Sequence, residues 1–179
     1  MEADAGDGQV KGLMLALATI SGTTAPTESP AWKLTPTGWG PVRIGMTRAQ
    51  AEKTLKVPLE GDAFDNQGSC IELYSSNEQL TGLYFMFLDG KLSRISIGDQ
   101  SHVTTPRAIG IGSSAEEVRK AYGDKLLAET HHYEGPPAEY LTYWLKPEKS
   151  GVRFETDIHG KVQTIHAGDA SIQYIEGCA

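Results

Sequence analysis

The chain predicts an α+β fold: a tandem repeat of a short helix plus a three-stranded antiparallel sheet, with the two units packed together. Three observations predict it. The phrase "GKLSRISIG" (residues 90–98) returns as "GKVQTIHAG" (residues 160–168), with Gly, Lys, a branched apolar residue, Ile and Gly at the same offsets. Upstream, "VRIGMTRAQAEKTL" lines up with "IGIGSSAEEVRKAY", each an Ile-Gly pair followed by a helix start. Between helix start and phrase, both copies carry strand-like runs separated by turn residues.

The first 38 residues read as a signal-like or disordered segment and linker. Residues 12–20, "GLMLALATI", are an apolar run too short to span a bilayer. Lys11 before the run and the small residues Thr23 and Ala25 after it resemble the end of a secretory signal peptide. The acidic start "MEADAGDG" does not suit such a signal. A start site assigned too early reconciles the two, and a stray apolar stretch in a disordered tail is the alternative. No Cys follows the run, so no lipid anchor is expected there.

Unit one is expected over residues 39–105. Thr47 and Gln50 fit a capping box: the hydroxyl accepts from the backbone N–H three residues on, and the Gln side chain reaches back. The helix should stop near Lys56, because Pro58 biases Val57 away from helical backbone. Ala51, Thr54 and Leu55 form its inward stripe. Strands are expected at 70–76, 82–88 and 91–97, with Asp89-Gly90 as the hairpin turn between the last two.

Unit two, residues 106–179, repeats the order. Ser114 and Glu117 fit a second capping box, Gly123 suits a left-handed cap, and Val118, Ala121 and Tyr122 face inward. Strands are expected at 139–145, 151–157 and 161–167, with His159-Gly160 in the last turn and a further strand at 171–176. A half of this size buries too little apolar area to stand alone, so the halves must brace each other.

Bulk composition excludes some partners. Sixteen Lys and Arg against 23 Asp and Glu give a net charge of -7, without any basic cluster, so nucleic acid is not an expected partner. No integral membrane span is expected either. Cys70 and Cys178 match no zinc or redox motif. In an exported protein they read as a disulfide, and in a cytosolic one as two buried thiols, so export and disulfide stand or fall together.

Chemistry is not spelled out. There is no Gly-x-Ser-x-Gly elbow, no phosphate-cradling loop, and no pair of carboxylates forced together by local spacing. Adjacent His131 and His132 point to opposite sides of an extended segment, which suits a shared metal poorly. His159 in a turn and His166 on the next strand complete the candidates for a zinc site, against ordinary surface histidines. No catalytic residue, metal ligand or cofactor is assigned. The aromatics say more. Alternation sends Phe85 and Phe87 to one face and Tyr84 to the other, and sets Tyr143 opposite Tyr140 and Trp144. Core filling competes with partner binding for all of them, and is the stronger reading for Phe85 and Phe87. Residues 131–140, "HHYEGPPAEY", should form an exposed, semi-rigid loop. His131, His132, Tyr133, Tyr140, Tyr143 and Trp144 are therefore the candidate binding edge.

A Gly, a capped short helix and a three-stranded antiparallel run, carried by "IGMTRAQAEKTL" and "IGIGSSAEEVRKAYG", resemble the β-lactamase-inhibitor-protein-like architecture and the SmpA/OmlA outer-membrane lipoprotein module. The likeness covers nearly everything after Trp39. "YIEGCA" with the mid-chain "SC" also resembles a group of exported bacterial proteins of unassigned activity. The resemblance implies a periplasmic or secreted protein that works by binding: a non-enzymatic module, inhibitor-like in manner, docking a protein or cell-envelope component without a cofactor. The alternatives are a small periplasmic enzyme or metal-binding protein using the His131/His132 region with Glu134 or Asp157, and a structural part in envelope assembly. The chain departs from the inhibitors in having one Cys per repeat, and from the lipoproteins in having two modules and no anchoring Cys. No partner-contacting residue is carried over.

Overall fold

Both capping boxes form. In the computed structural model, which describes residue 1 and residues 32–61 and 69–178, Thr47 Oγ1 accepts from Gln50 N while Thr47 N donates to the Gln50 side chain. Ser114 and Glu117 make the same reciprocal pair. The helices they open, α1 (Arg48–Leu55) and α2 (Ala115–Tyr122), each run eight residues. The first stops at Lys56, which turns left-handed at φ 59°, and the second at Gly123, φ 64°. The signal-like stretch at residues 12–25 lies outside the described residues.

Ahead of α1 the chain makes a small antiparallel meander: β1 (Leu34–Thr35), β2 (Gly38–Trp39) and β3 (Val42–Arg43). Residues up to 38 read as linker, yet Leu34 is fully buried beside Trp39 and Val42, so packed structure starts at residue 34. Gly38 permits the turn. Its φ is 149°, and a Cβ there would sit 2.0 Å from the Val42 carbonyl oxygen.

Seven further strands form one sheet: β4 (Cys70–Leu73), β5 (Leu83–Leu88), β6 (Lys91–Ile97), β7 (Leu126–Thr130), β8 (Glu139–Lys146), β9 (Ser150–Thr156) and β10 (Val162–Gly168). Their order is β4-β5-β6-β10-β9-β8-β7, and every neighbouring pair is antiparallel. The molecule is α+β, as expected. Beyond the meander and an earlier end to β4, two elements differ from the sequence reading. β7 was not expected, because "LLAET" turns only Leu126 toward the core and leaves the other four residues exposed, so it carries no burial pattern. The strand expected at 171–176 is instead a 3-10 turn, Ala170–Gln173, because the Asp169 carboxylate accepts from Ser171 N and starts a turn where alternation suggested a strand.

The two glycine-bounded phrases become neighbours at the middle of the sheet. Ile97 pairs with Ile165, Ser96 with His166 and Ile95 with Ala167. Each helix start is tied to the third residue of its phrase. Gly45 N donates to Leu92 O and Leu92 N to Met46 O, both 2.7 Å; Gly112 N donates to Val162 O and Val162 N to Ser113 O, both 2.8 Å.

One face of the sheet carries the core. Phe85, Ile95, Phe154 and Ile165 are fully buried there and pack with Ala51 of α1 and with Val118 and Tyr122 of α2. Burying each of the large side chains contributes about 1.5–3 kcal/mol. Tyr122 lies 5.1 Å from both Phe154 and Tyr143, ring centre to ring centre, and closes one end of this layer.

Candidate functional site

Strand alternation sends a second set of side chains to the opposite face, and that set is polar. Across neighbouring strands, Tyr84, Ser96, His166, Arg153 and Thr142 stand in one row. All but Tyr84 are buried, and buried polar groups need partners. Arg153 Nη1 donates to Glu129 Oε2 at 3.0 Å and to Thr142 Oγ1 at 3.3 Å, with its guanidinium 3.9 Å from the centre of the Tyr140 ring. Arg94 Nη2 donates to Glu72 Oε2 at 2.9 Å, and its Nη1 to the carbonyls of Ser171 and Tyr174.

His166 sits between these two arginine clusters. Its Nδ1 is 2.7 Å from Ser96 Oγ, and its Nε2 is 3.2 Å from Glu155 Oε1. Burial pushes the imidazole below its ordinary pKa, outweighing the pull of the Glu155 hydrogen bond in the other direction. Burial also pushes Glu155 up, but the hydrogen bond from His166, with the positive charge around it, carries its carboxyl below the usual range. Glu155 is therefore the ion and His166 the neutral ring.

The chain covers much of this face itself. From one side residues 131–138 fold back over it: the His131 ring stacks on Tyr140 at 4.5 Å, and His132 N donates to the Tyr140 hydroxyl. From the other side residues 169–178 cross it. Asp169 N donates to Ser93 O, the Ser93 and Ser171 hydroxyls meet at 2.8 Å, and a Cys70–Cys178 disulfide ties the crossing segment to β4. Gly151 makes room for it, since a Cβ there would lie 2.6 Å from the Trp144 ring and 2.9 Å from Ile172.

The two segments meet where the Tyr133 hydroxyl donates to Glu176, an acceptor that raises the phenol above its ordinary pKa. Between them runs an open groove of about 540 Å³, lined by Cys70, Leu88, His132, Tyr133 and residues 173–178. Its rim leaves Tyr133 60%, Tyr174 47% and Ile175 43% exposed. A second cleft, of about 370 Å³, opens on the same face over Ser96 and His166, with Glu72, Tyr84, Arg94, Asp99, Gln163 and Thr164 around it. The two share no lining residue.

Four of the six residues expected at a binding edge lie close together, with Tyr140 among them buried. His131, His132, Tyr133 and Tyr140 come together on the polar face. Tyr143 points to the core face under Tyr122, as alternation requires, and Trp144 is half-buried against Gly151. Phe85 and Phe87 are both in the core. Of the histidine and carboxylate candidates, Asp157 is occupied in its own turn, accepting from His159 N and Lys161 N. Among the described residues no three His, Cys, Asp or Glu side chains converge as a metal site. Sequence reasoning did not single out Ser96, Arg94, Arg153 or Glu155. The signal available was the spacing in "SRIS", which puts Arg94 and Ser96 on one side of a strand whose neighbours Ile95 and Ile97 face the core. Among the described residues no helix is long and apolar enough to cross a membrane. No family model, curated protein or solved structure matches the chain.

Proposed function

We propose that the chain is an exported docking module, built from two units of common origin in the manner of the β-lactamase-inhibitor-like and SmpA/OmlA-like proteins. It binds a protein or a cell-envelope component in the periplasm or outside the cell, and the docking itself involves no turnover. The observation that carries this reading is the groove between residues 131–138 and 169–178. Its rim exposes Tyr133, Tyr174 and Ile175 on segments held by the disulfide, by Arg94 and by the Tyr133–Glu176 hydrogen bond. Aromatic anchors fixed before binding lose little conformational entropy on contact, which is what a docking surface needs.

Two further observations support the reading. The disulfide suits an oxidising compartment, where such bonds persist. Common origin is supported by the register of β6 against β10: exchanging the two phrases turns the Ile97–Ile165 pair into the Ala167–Ile95 pair and leaves Ser96–His166 in place. The matched bonds from each helix start to Leu92 and Val162 follow the same exchange.

The test is retention of a specific protein from an envelope extract, followed by rebinding of that protein in purified form. Tyr133→Ala with Tyr174→Ala removes two exposed rings, and Tyr133→Phe, which loses only the hydrogen bond to Glu176, separates the ring's contribution from that bond's. Losing two such anchors should weaken the purified pair by about 2 kcal/mol or more, roughly thirtyfold in affinity. Equal binding by the variant would remove the groove as the docking surface.

A further inference from the structure

The smaller cleft carries a different chemistry, independent of the docking groove. We propose that Ser96 is an activated nucleophile, with His166 as its general base and Glu155 as a positioning residue, and that the cleft accepts a small uncharged carboxylic ester.

The three groups lie in line: Ser96 Oγ is 2.7 Å from His166 Nδ1, and His166 Nε2 is 3.2 Å from Glu155 Oε1. An ionised carboxylate can only accept, so Nε2 carries the proton and donates to Glu155. Nδ1 of the neutral ring then holds a lone pair, and the Ser96 hydroxyl donates to it. This fixes both the tautomer and the ring plane, which is what a serine needs in order to lose its proton on attack. The arrangement comes from the fold and not from local sequence. Ser96 and His166 hold the same position in the two glycine-bounded phrases, and the β6–β10 register sets them face to face.

A cross-strand pair serving only to satisfy buried groups would still need Glu155 as the partner of His166 Nε2, but it would need no opening. Here both Ser96 and His166 line the cleft, and so does Arg94. The Arg94 guanidinium, held by Glu72 and by the Ser171 and Tyr174 carbonyls, places a positive charge at the cleft wall, where it favours negative charge developing nearby. The walls select the substrate. Glu72 and Asp99 outnumber the single Arg94 charge, which disfavours an anionic ligand, and the half-exposed Tyr84 ring offers an apolar wall. The volume of about 370 Å³ has room for a small acyl group.

Ser96 Oγ bonds to the acyl carbon while its proton passes to Nδ1; the carbon–oxygen bond to the alcohol breaks, and the alcohol leaves with that proton. Water then attacks the acyl-serine, giving its proton to Nδ1, and the proton returns to Oγ as the carboxylic acid departs.

The test is covalent labelling of the whole protein with a fluorophosphonate, located by mass spectrometry. The probe loses fluoride, and the serine proton passes to His166. An adduct on Ser96 is expected in the wild type and none in Ser96→Ala. Labelling should stay on its plateau below the ordinary histidine range and fall only at lower pH, because burial holds the ring neutral. The charged groups acting on the ring are Glu155 from β9, Arg94 from β6 and Glu72 from β4; Arg153 and His131 act on Glu155. In Glu155→Gln labelling should slow on the order of 100-fold, and the pH midpoint should drop, since the carboxylate no longer favours the protonated ring. Release of p-nitrophenol from p-nitrophenyl acetate, lost in Ser96→Ala, should accompany the labelling. A folded wild-type protein whose Ser96 stays unmodified under conditions that saturate a control serine hydrolase overturns the proposal. So does labelling of Glu155→Gln at the wild-type rate with the wild-type pH midpoint.

Discussion

At His166, burial and hydrogen bonding pull in opposite directions, and burial prevails. The consequence reaches beyond any chemistry at Ser96. A histidine whose pKa is lowered by folding binds a proton more readily in the unfolded chain, so its contribution to stability is complete above the unfolded value near 6.5 and is lost as pH falls through the folded value. Glu155, also lowered, adds a loss of the same sign at more acidic pH, once the carboxylate range is reached. The urea midpoint should therefore decline from about pH 7.5 to about pH 5.5. In His166→Gln, whose amide cannot take up that proton, the decline over this interval should shrink even though the variant starts less stable. A midpoint that rises on acidification, or an equal decline in both proteins, would mean that the ring is not held neutral by the fold.

The two helices make the same cap but do different work. Replacing an N-cap hydroxyl by Ala costs about 1 kcal/mol. α2 buries Val118 and Tyr122, and its N-cap Ser114 pairs with Lys161 just ahead of β10, so Ser114→Ala should lower global stability by about that amount in a denaturant titration. α1 buries only Ala51 fully, so Thr47→Ala should appear first as faster amide exchange at residues 48–51, with a smaller global loss. The caps, the Asp89-Gly90 turn and the strand alternation were legible because each depends on residues close in sequence. β7 was not, since an edge strand with four exposed residues has no hydrophobic period. The meander at Leu34 was missed because its burial comes from contacts with distant chain, such as Leu34 N donating to Thr104 O. The candidate site was half legible for the same reason. His131 to Tyr140 is one short stretch of chain, a loop running into β8, whereas Ser96, Glu155 and His166 meet only after β6, β10 and β9 have paired. Nothing local marks Ser96 apart from "SRIS" itself.

In the whole molecule the Cys70–Cys178 bond closes a loop with a sequence separation of 108. A closure that long stabilises by roughly 4–5 kcal/mol in the chain-entropy account, and typically by about 2–4 kcal/mol when measured. The bond also has a local task, because it holds residues 169–178 on the polar face. Without it, the segment keeps Arg94 Nη1 on two carbonyls, the Ser93–Ser171 pair and the Ile172 contact, and its far end is left to the Tyr133–Glu176 hydrogen bond. Cys178→Ser should therefore lower stability by about 2–4 kcal/mol and raise amide exchange first in residues 174–178 and in the 131–138 loop. Docking should weaken with it, because the rim residues Tyr133 and Tyr174 then have to be ordered on contact. Fluorophosphonate labelling at Ser96 should survive, since its cleft shares no wall with the groove. Loss of docking together with retention of labelling in the one variant would separate the two sites. Equal loss of both would mean that the crossing segment supports the whole polar face as a unit.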